Sequence, residues 1–311
     1  MHLLIPFARC SSEGCASALR ALKLPQLQKL LSCLACEPAE QSDPFSLSAP
    51  HERALARALA LPLADGMIPW AALQARQTLA ATGAWGFITP CHWKIGSQHV
   101  VMSGAALLDF SEQESQAVLE AMRPYFAEDG ITLHYQQPAR WLAHSDLFDS
   151  LATASLDRVA GHDVSAWLPT DHRAGKLRRL QSEMQMLLYN HPVNESRSAR
   201  GLPSVNAFWL SGTGALATDP RLAAGATPEV ADSLREAALN EDWASWAHAW
   251  EQLDATQCVA LLDAFKHGES VQLTLCGERA AQNWRSQRTS MLRRLAGWWQ
   301  PVPVTRVLEP L

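Results

Sequence analysis

The chain has 311 residues, 48% of them hydrophobic and 18% charged, which is enough apolar material for about two packed domains without a disulfide or metal staple. That balance excludes intrinsic disorder as the main state, and a net charge of -5 argues against a global electrostatic grip on nucleic acid. No segment reaches the ~18 uninterrupted apolar residues of a membrane span, the first residues do not form a signal peptide, and seven cysteines suit a reducing compartment, so a cytoplasmic location is expected.

His2–Ala8 reads as a short buried strand. Helices follow over Gly14–Leu22 and over Pro25–Cys36, the latter with proline in its first turn and Leu27, Leu30, Leu31 and Leu34 at helical spacing. Residues 37–50 form a loop, and His51–Leu61 and Pro69–Ala81 are helical. The period then changes: Trp85–Lys94, a turn at Gly96–Gln98 and His99–Ser103 form a hairpin. Ser111 caps a helix over Glu112–Phe126, with Glu114 completing a capping box. Ile131–Gln136 and Arg140–Ala143 are strands, and Arg173–Tyr189 is a long amphipathic helix. Val205–Leu210 is a strand ending in a turn at Ser211–Gly214. Residues 218–228 form a linker. Helices over Pro228–Leu239, Trp243–Leu253 and Thr256–His267, a strand at Ser270–Leu275, a helix at Arg279–Trp298 and a strand at Val302–Val307 complete an α/β chain with an inner α+β segment.

Three constellations carry chemistry or mimic it. Cys33 and Cys36 form a C-x-x-C, with Cys10 and Cys15 upstream, which leaves open a zinc or redox regulator. The pair falls inside an apolar helix and Cys10-x4-Cys15 is poorly spaced, both of which argue against zinc. None of the eleven histidines forms a metal-binding motif; Asp171 before His172 serves as a helix cap. The basic residues Lys176, Arg178 and Arg179, and Arg285, Arg288, Arg293 and Arg294, read as solvated faces opposite leucine stripes. The third constellation is the densest: His191, Pro192, Asn194 and Arg197, then Gly201, Pro203 and Asn206, then an apolar strand and Ser211, Gly212 and Gly214. Two glycines after a strand allow a tight anion-binding nest, and Asn206 in an apolar strand needs its amide bonded.

That string resembles the archaeal-type cofactor-independent phosphoglycerate mutases of the alkaline-phosphatase-like superfamily, which carry H-P-x-N-x-x-R, G-x-P-x-N and G-x-G in this order. More closely, the whole chain is similar to a proteobacterial group labelled phosphoglycerate mutase-like or RpfE-type regulatory protein. The resemblance implies an alkaline-phosphatase-like mixed sheet flanked by helices, with a smaller inserted α+β cap domain. Residues 1–82 and 205–311 would form a degenerate α/β domain, with 83–204 inserted. It also implies a ligand site built from His191, Asn194, Arg197, Asn206, Ser211, Gly212 and Gly214.

The departures point away from catalysis. Superfamily enzymes hold two metal ions with an Asp ending the first strand, a Ser or Thr nucleophile and a late Asp-His pair. Here the first strand ends Phe7-Ala8-Arg9, and Leu275-Cys276-Gly277-Glu278 stands where Asp-His belongs. Ser48 lies near the nucleophile's place, with nothing to lower its pKa. The expectation is a pseudoenzyme with no cofactor that binds a protein partner or a small anion. The alternative is a mutase or phosphatase holding two divalent metals such as manganese. Trp243, Trp246 and Trp250 share one helical face; the ordinary meaning is core, and an outward face would mark the partner site. Trp298 and Trp299 add two rings near the C-terminus.

Overall fold

A computed structural model describes residues 1–96, 99–103, 108–170, 174–216, 227–286 and 302–311. They build a mixed α/β fold with two compact units. The first comprises Met1–Phe45, Ala49–Ala60 and Arg221–Leu311, and the second comprises Ser46–Ser48 and Leu61–Pro220.

The first unit is organised around the strand His2–Arg9. Its apolar run is buried on both faces, as a central strand demands. It pairs in parallel with Glu229–Val230 on one side and with Gln272–Gly277 on the other. Gln272–Gly277 then pairs antiparallel with Ala280–Arg285, whose far edge takes Ala35–Cys36 and Glu40–Gln41. Pro6 donates no ladder bond, and the register with Gln272–Gly277 slips between Ile5 and Arg9, where Phe7 has a φ of 53°. One face packs Leu3, Ile5, Leu273, Leu275 and Trp284 against helices Glu13–Ala21, Pro25–Cys33, Trp243–Ala255 and Gln257–Lys266. The other sets Leu4, Cys276 and Ala281 against Ala54 and Leu55 of helix Pro50–Ala58.

The second unit holds an antiparallel four-stranded sheet in the order Thr132–Gln137, Arg140–His144, Ala84–Cys91, Ala207–Ala215. Helices Glu112–Glu128 and Ala174–Tyr189 cover it through Val118, Met122, Phe126, Leu177, Leu180 and Met184. Ser111 and Glu114 form the expected capping box. Lys176, Arg178 and Arg179 lie on the exposed face of Ala174–Tyr189, as expected.

Several elements differ from the sequence reading. The helix opened by Pro25 ends at Cys33, and Cys36 sits in a strand. Trp93–Ile95 pairs with Val100–Met102 as the expected hairpin, but Ala84–Cys91 belongs to the four-stranded sheet. Pro192–Ala199 is a helix that the reading left irregular, although proline at its first position announced it. Residues 229–239 hold a two-residue strand and a short helix, Arg235–Leu239, rather than one long helix. The expected helix at Arg279–Trp298 begins instead as the strand Ala280–Arg285, and residues 287–301, with Arg288, Arg293, Arg294, Trp298 and Trp299, lie outside the described residues, as do Asp171 and His172. Val304–Leu308 is a helix, not a strand. Residues 207–215, assigned from the sequence to the outer domain, are an edge strand of the second unit's sheet.

Helix Pro25–Cys33 lacks a capping side chain of its own at Leu24. Asp254, buried in helix Trp243–Ala255, supplies the cap: its carboxylate accepts from the N–H groups of Gln26 at 3.2 Å and Leu27 at 2.7 Å. Asp254→Ala orphans both donors and is expected to cost about 1–3 kcal/mol, read as a lowered midpoint in urea denaturation. A change under about 0.5 kcal/mol would show that the cap contributes nothing.

Candidate functional site

The string from His191 to Gly214 holds together as one structure, but its polar groups face inward. The His191 ring Nδ1 accepts from the Val193 N–H at 3.3 Å, so it caps helix Pro192–Ala199; burial lowers its pKa. Asn194 is buried. Its amide nitrogen donates to the carbonyls of Leu188 at 2.7 Å and Val205 at 2.8 Å, and its oxygen accepts from the Val205 N–H at 2.8 Å. One side chain thereby ends helix Ala174–Tyr189 and fixes the approach to the strand Ala207–Ala215.

Arg197 is fully buried. Its Nε donates to the Pro203 carbonyl at 2.8 Å, one terminal nitrogen donates to the Asp109 carbonyl at 3.2 Å and to the Glu114 carboxylate at 2.9 Å, and the other donates to the Leu108 carbonyl. The guanidinium also lies over the Phe110 ring. Arg200, half exposed, takes the second oxygen of Glu114. Desolvation of Glu114 opposes its ionisation, but bonds from Ser111, Arg200 and Arg197 outweigh this and hold its pKa low. The geometry makes Arg197 half of an internal ion pair rather than the ligand contact that the resemblance implied.

Asn206 is half-buried and structural, its amide bonded as its place beside an apolar strand requires. Its amide pairs with the backbone of Trp93, accepting from the N–H at 2.7 Å and donating to the carbonyl at 2.9 Å, which extends the ladder past Cys91. Ser211–Gly214 is not a turn either. The four residues continue the strand through a bulge, where Trp85–Phe87 faces Gly214–Ser211 with one residue to spare. Gly212 has a φ of 62°, and a Cβ there would meet Phe87 at 3.0 Å. A Cβ on Gly214 would meet Pro69 at 3.0 Å. The glycines serve the bulge and close packing rather than an anion nest. Ser211 is buried.

Ser48 is also buried, and its Oγ accepts from the Gly66 N–H at 2.8 Å. The neighbouring Asp65 carboxylate takes the Ser46 hydroxyl and the N–H groups of Leu47 and Ser48, so the nearest carboxylate is occupied by the loop itself. Among the described residues no group of three or more His, Cys, Asp or Glu side chains is placed to hold a metal ion. Cys33 and Cys36 sit on different elements, Cys36 exposed and accepting from Gln282. Trp246 and Trp250 are fully buried and Trp243 is half-buried, the three rings packing edge to face. The Trp246 N–H donates to the Phe7 carbonyl at 2.9 Å, and the Trp243 ring lies on Gly14. The stripe packs into the core of the first unit, with Trp246 and Trp250 inside it and Trp243 against its edge, rather than facing outward.

The site that the sequence reading missed is a cleft of about 540 Å³ in the first unit. Its floor is the sheet face carrying His2, Gln272, Thr274, Asn283 and Arg285, and Glu37, Glu40 and Arg57 stand at its sides. The floor is one hydrogen-bonded relay. His2 Nε2 meets Thr274 Oγ1 at 2.9 Å, that hydroxyl donates to Asn283 at 3.0 Å, Asn283 donates to Glu37, and Glu37 pairs with Arg285 at 3.2 Å. Arg57 pairs with Glu40 and keeps half its surface exposed. The signal was period-2 alternation, Gln272-x-Thr274 against Leu273-x-Leu275, partnered by Asn283 and Arg285 in a segment read as a helix.

No protein-family model matches the chain, and no curated protein matches its sequence. The chain is similar over its length to two solved structures. One is a cofactor-independent phosphoglycerate mutase from Thermoplasma acidophilum, at 12% identity and a TM-score of 0.38 over 99% of this chain and 98% of that one. The other is a protein from Pyrococcus horikoshii, at 12% identity and a TM-score of 0.41 over 99% and 97%. No helix among the described residues is long and apolar enough to cross a membrane.

Two measurements check this geometry. Arg197→Met strands three buried carbonyls and removes one of the two guanidinium partners of Glu114, and is expected to cost about 3–5 kcal/mol in denaturant unfolding, while Arg200→Gln at the exposed partner costs under about 1 kcal/mol. Equal effects would mean that burial does not set their worth. Burial and the nearby Arg285 push the His2 pKa down from 6.5 to about 4. The unfolded chain then binds more protons between these values, so this contribution to stability is complete above pH 6.5 and is lost as pH falls toward 4. His2→Gln should flatten the fall in unfolding free energy between pH 7 and pH 4.5.

Proposed function

We propose that this chain is a non-catalytic, regulatory protein of the phosphoglycerate mutase-like kind, acting by binding rather than by phosphoryl transfer. The observation that carries this reading is that the two groups on which phosphoryl chemistry would rest, the Ser48 hydroxyl and the Arg197 guanidinium, are buried and committed to the protein's own backbone. A phosphoryl-transfer nucleophile must be open to a phosphate ester and be deprotonated by a neighbour, and a phosphate clamp must have free donors; neither condition is met by these two side chains. The sequence string supports the family likeness, and its polar members are spent on holding the fold.

The binding function belongs to the polar cleft of the first unit. Its volume lies in the range of small-molecule sites, roughly 300–1,000 Å³. Arg57 and Arg285, each paired on one side and exposed on the other, suit an anionic group, and Thr274, Asn283 and Gln272 suit the polar body of a small ligand.

The test has two arms. Purified protein supplied with manganese should contain no stoichiometric metal and should not interconvert phosphoglycerates; turnover abolished by Ser48→Ala would overturn the non-catalytic reading. In calorimetric titrations, small carboxylates and inorganic phosphate should bind the wild-type chain, and Arg285→Gln should weaken the best of them at least about tenfold, the loss of one charge-assisted contact. Binding that is unaltered in Arg285→Gln and Arg57→Gln would remove the cleft from the proposal.

A further inference from the structure

The carboxyl end of the strand His2–Arg9 brings two thiols together. Cys10 follows the strand directly, and Cys15 lies in the first turn of helix Glu13–Ala21, which Ser12 caps. The Cys10 N–H donates to Cys15 Sγ at 3.3 Å, which sets the two cysteines side by side. Both are buried. Arg9 reaches the same point: its charge favours a thiolate at Cys15, and its Nε and one terminal nitrogen are shielded from solvent with no hydrogen-bond partner. A shielded guanidinium with unpartnered nitrogens is costly unless a negative charge sits beside it.

We propose that Cys10 and Cys15 are a reversible redox pair, with Cys15 the attacking sulfur and Cys10 the resolving one. The roles follow from the surroundings. Cys15 sits at a helix N-terminus beside Arg9, both of which favour a thiolate. Cys10 lies beside Cys15 and feels the carboxylate of Glu278, and both negative charges disfavour a second thiolate. Accordingly the Cys15 pKa is lowered, chiefly by the bond from Cys10, and the Cys10 pKa is raised, chiefly by the same bond and by burial. Burial pushes the Cys91, Cys258 and Cys276 thiols up, so none of these competes.

The oxidant is a small peroxide, because neither sulfur is open to a bulky one. The Cys15 thiolate attacks one peroxide oxygen; an S–O bond forms, the O–O bond breaks, and the departing hydroxide leaves as water after protonation. Cys10 sulfur then attacks Cys15 sulfur. The S–S bond forms, the S–O bond breaks, and the hydroxide leaves as water with the Cys10 proton. Two thiols are oxidised, and one hydrogen peroxide is reduced to two waters. The inference goes beyond the binding reading and does not depend on it.

The experiment uses the full-length wild-type chain. It is reduced, exposed to hydrogen peroxide, quenched, unfolded in the presence of an alkylating agent and digested with trypsin. Cleavage after Arg9 and Arg20 places both cysteines in one peptide. The expected product is that peptide unalkylated and two hydrogens lighter than its dithiol, restored to the dialkylated form by dithiothreitol. In Cys10→Ser the reaction should halt at a sulfenic acid on Cys15, trapped by dimedone, and Arg9→Gln should slow thiol loss several-fold at neutral pH. The proposal is overturned if Cys10 and Cys15 emerge doubly alkylated while other cysteines are oxidised, or if the dimedone adduct lies elsewhere. The wild-type mapping decides the matter even where a variant folds poorly.

Discussion

A guanidinium can be taken wholly out of water only if every face it turns inward meets an acceptor, and the second unit is arranged around that requirement at Arg197. Carbonyls from Leu108, Asp109 and Pro203 and the Glu114 carboxylate converge on it from three stretches of chain. Glu114 simultaneously completes the capping box that Ser111 opens on helix Glu112–Glu128, so the charge that neutralises Arg197 also helps to start the helix that covers the sheet. Asn194, one helical turn earlier, fixes the end of helix Ala174–Tyr189 and the backbone of Val205. Removing one partner from such a set leaves an uncompensated buried charge, which is why its worth far exceeds that of the exposed pair at Arg200.

The same economy separates what a sequence string signifies from what it does. His191, Asn194, Arg197 and Asn206 form a recognisable polar pattern, and all four are spent on backbone groups of the unit that contains them. The cleft of the first unit has the opposite character. Its polar side chains bond one another in a relay across a sheet face and leave exposed guanidinium edges at Arg57 and Arg285. A polar group that holds backbone is fixed in number and direction, whereas one that bonds a neighbouring side chain can exchange that bond for a ligand's.

What was legible in the sequence was local and periodic. The central strand, the Ser111–Glu114 capping box and the Leu177–Leu180–Met184 stripe stand as read. The tryptophan face also had its ordinary meaning of core. What was not legible depended on partners distant in the chain. The alanine-rich start of Ala280–Arg285 favours helix by propensity, but its antiparallel pairing with Gln272–Gly277 overrides that. Val304–Leu308 is β-branched yet helical, its first turn opened by Pro303. The Ser211–Gly214 turn was misread because two glycines signal a turn and a bulge alike, and only the facing strand decides between them. Asn206 was rightly taken as needing a bonded amide, but its partner, Trp93, is 113 residues away.

The borrowed cap on helix Pro25–Cys33 has a consequence for the order in which the chain can assemble. The carboxylate that completes that helix lies 227 residues beyond Leu27, and the parallel partner of the first strand begins at Gln272. Closing loops of that length precedes any reward from the contacts they make. As the chain leaves the ribosome, its opening strand and two helices must wait with Leu3, Ile5, Leu27 and Leu30 uncovered. The uninterrupted run Leu61–Pro220, by contrast, carries nearly all of its own unit and can close its core before synthesis ends. The core around the first strand is therefore completed only after residues 254–277 have been added.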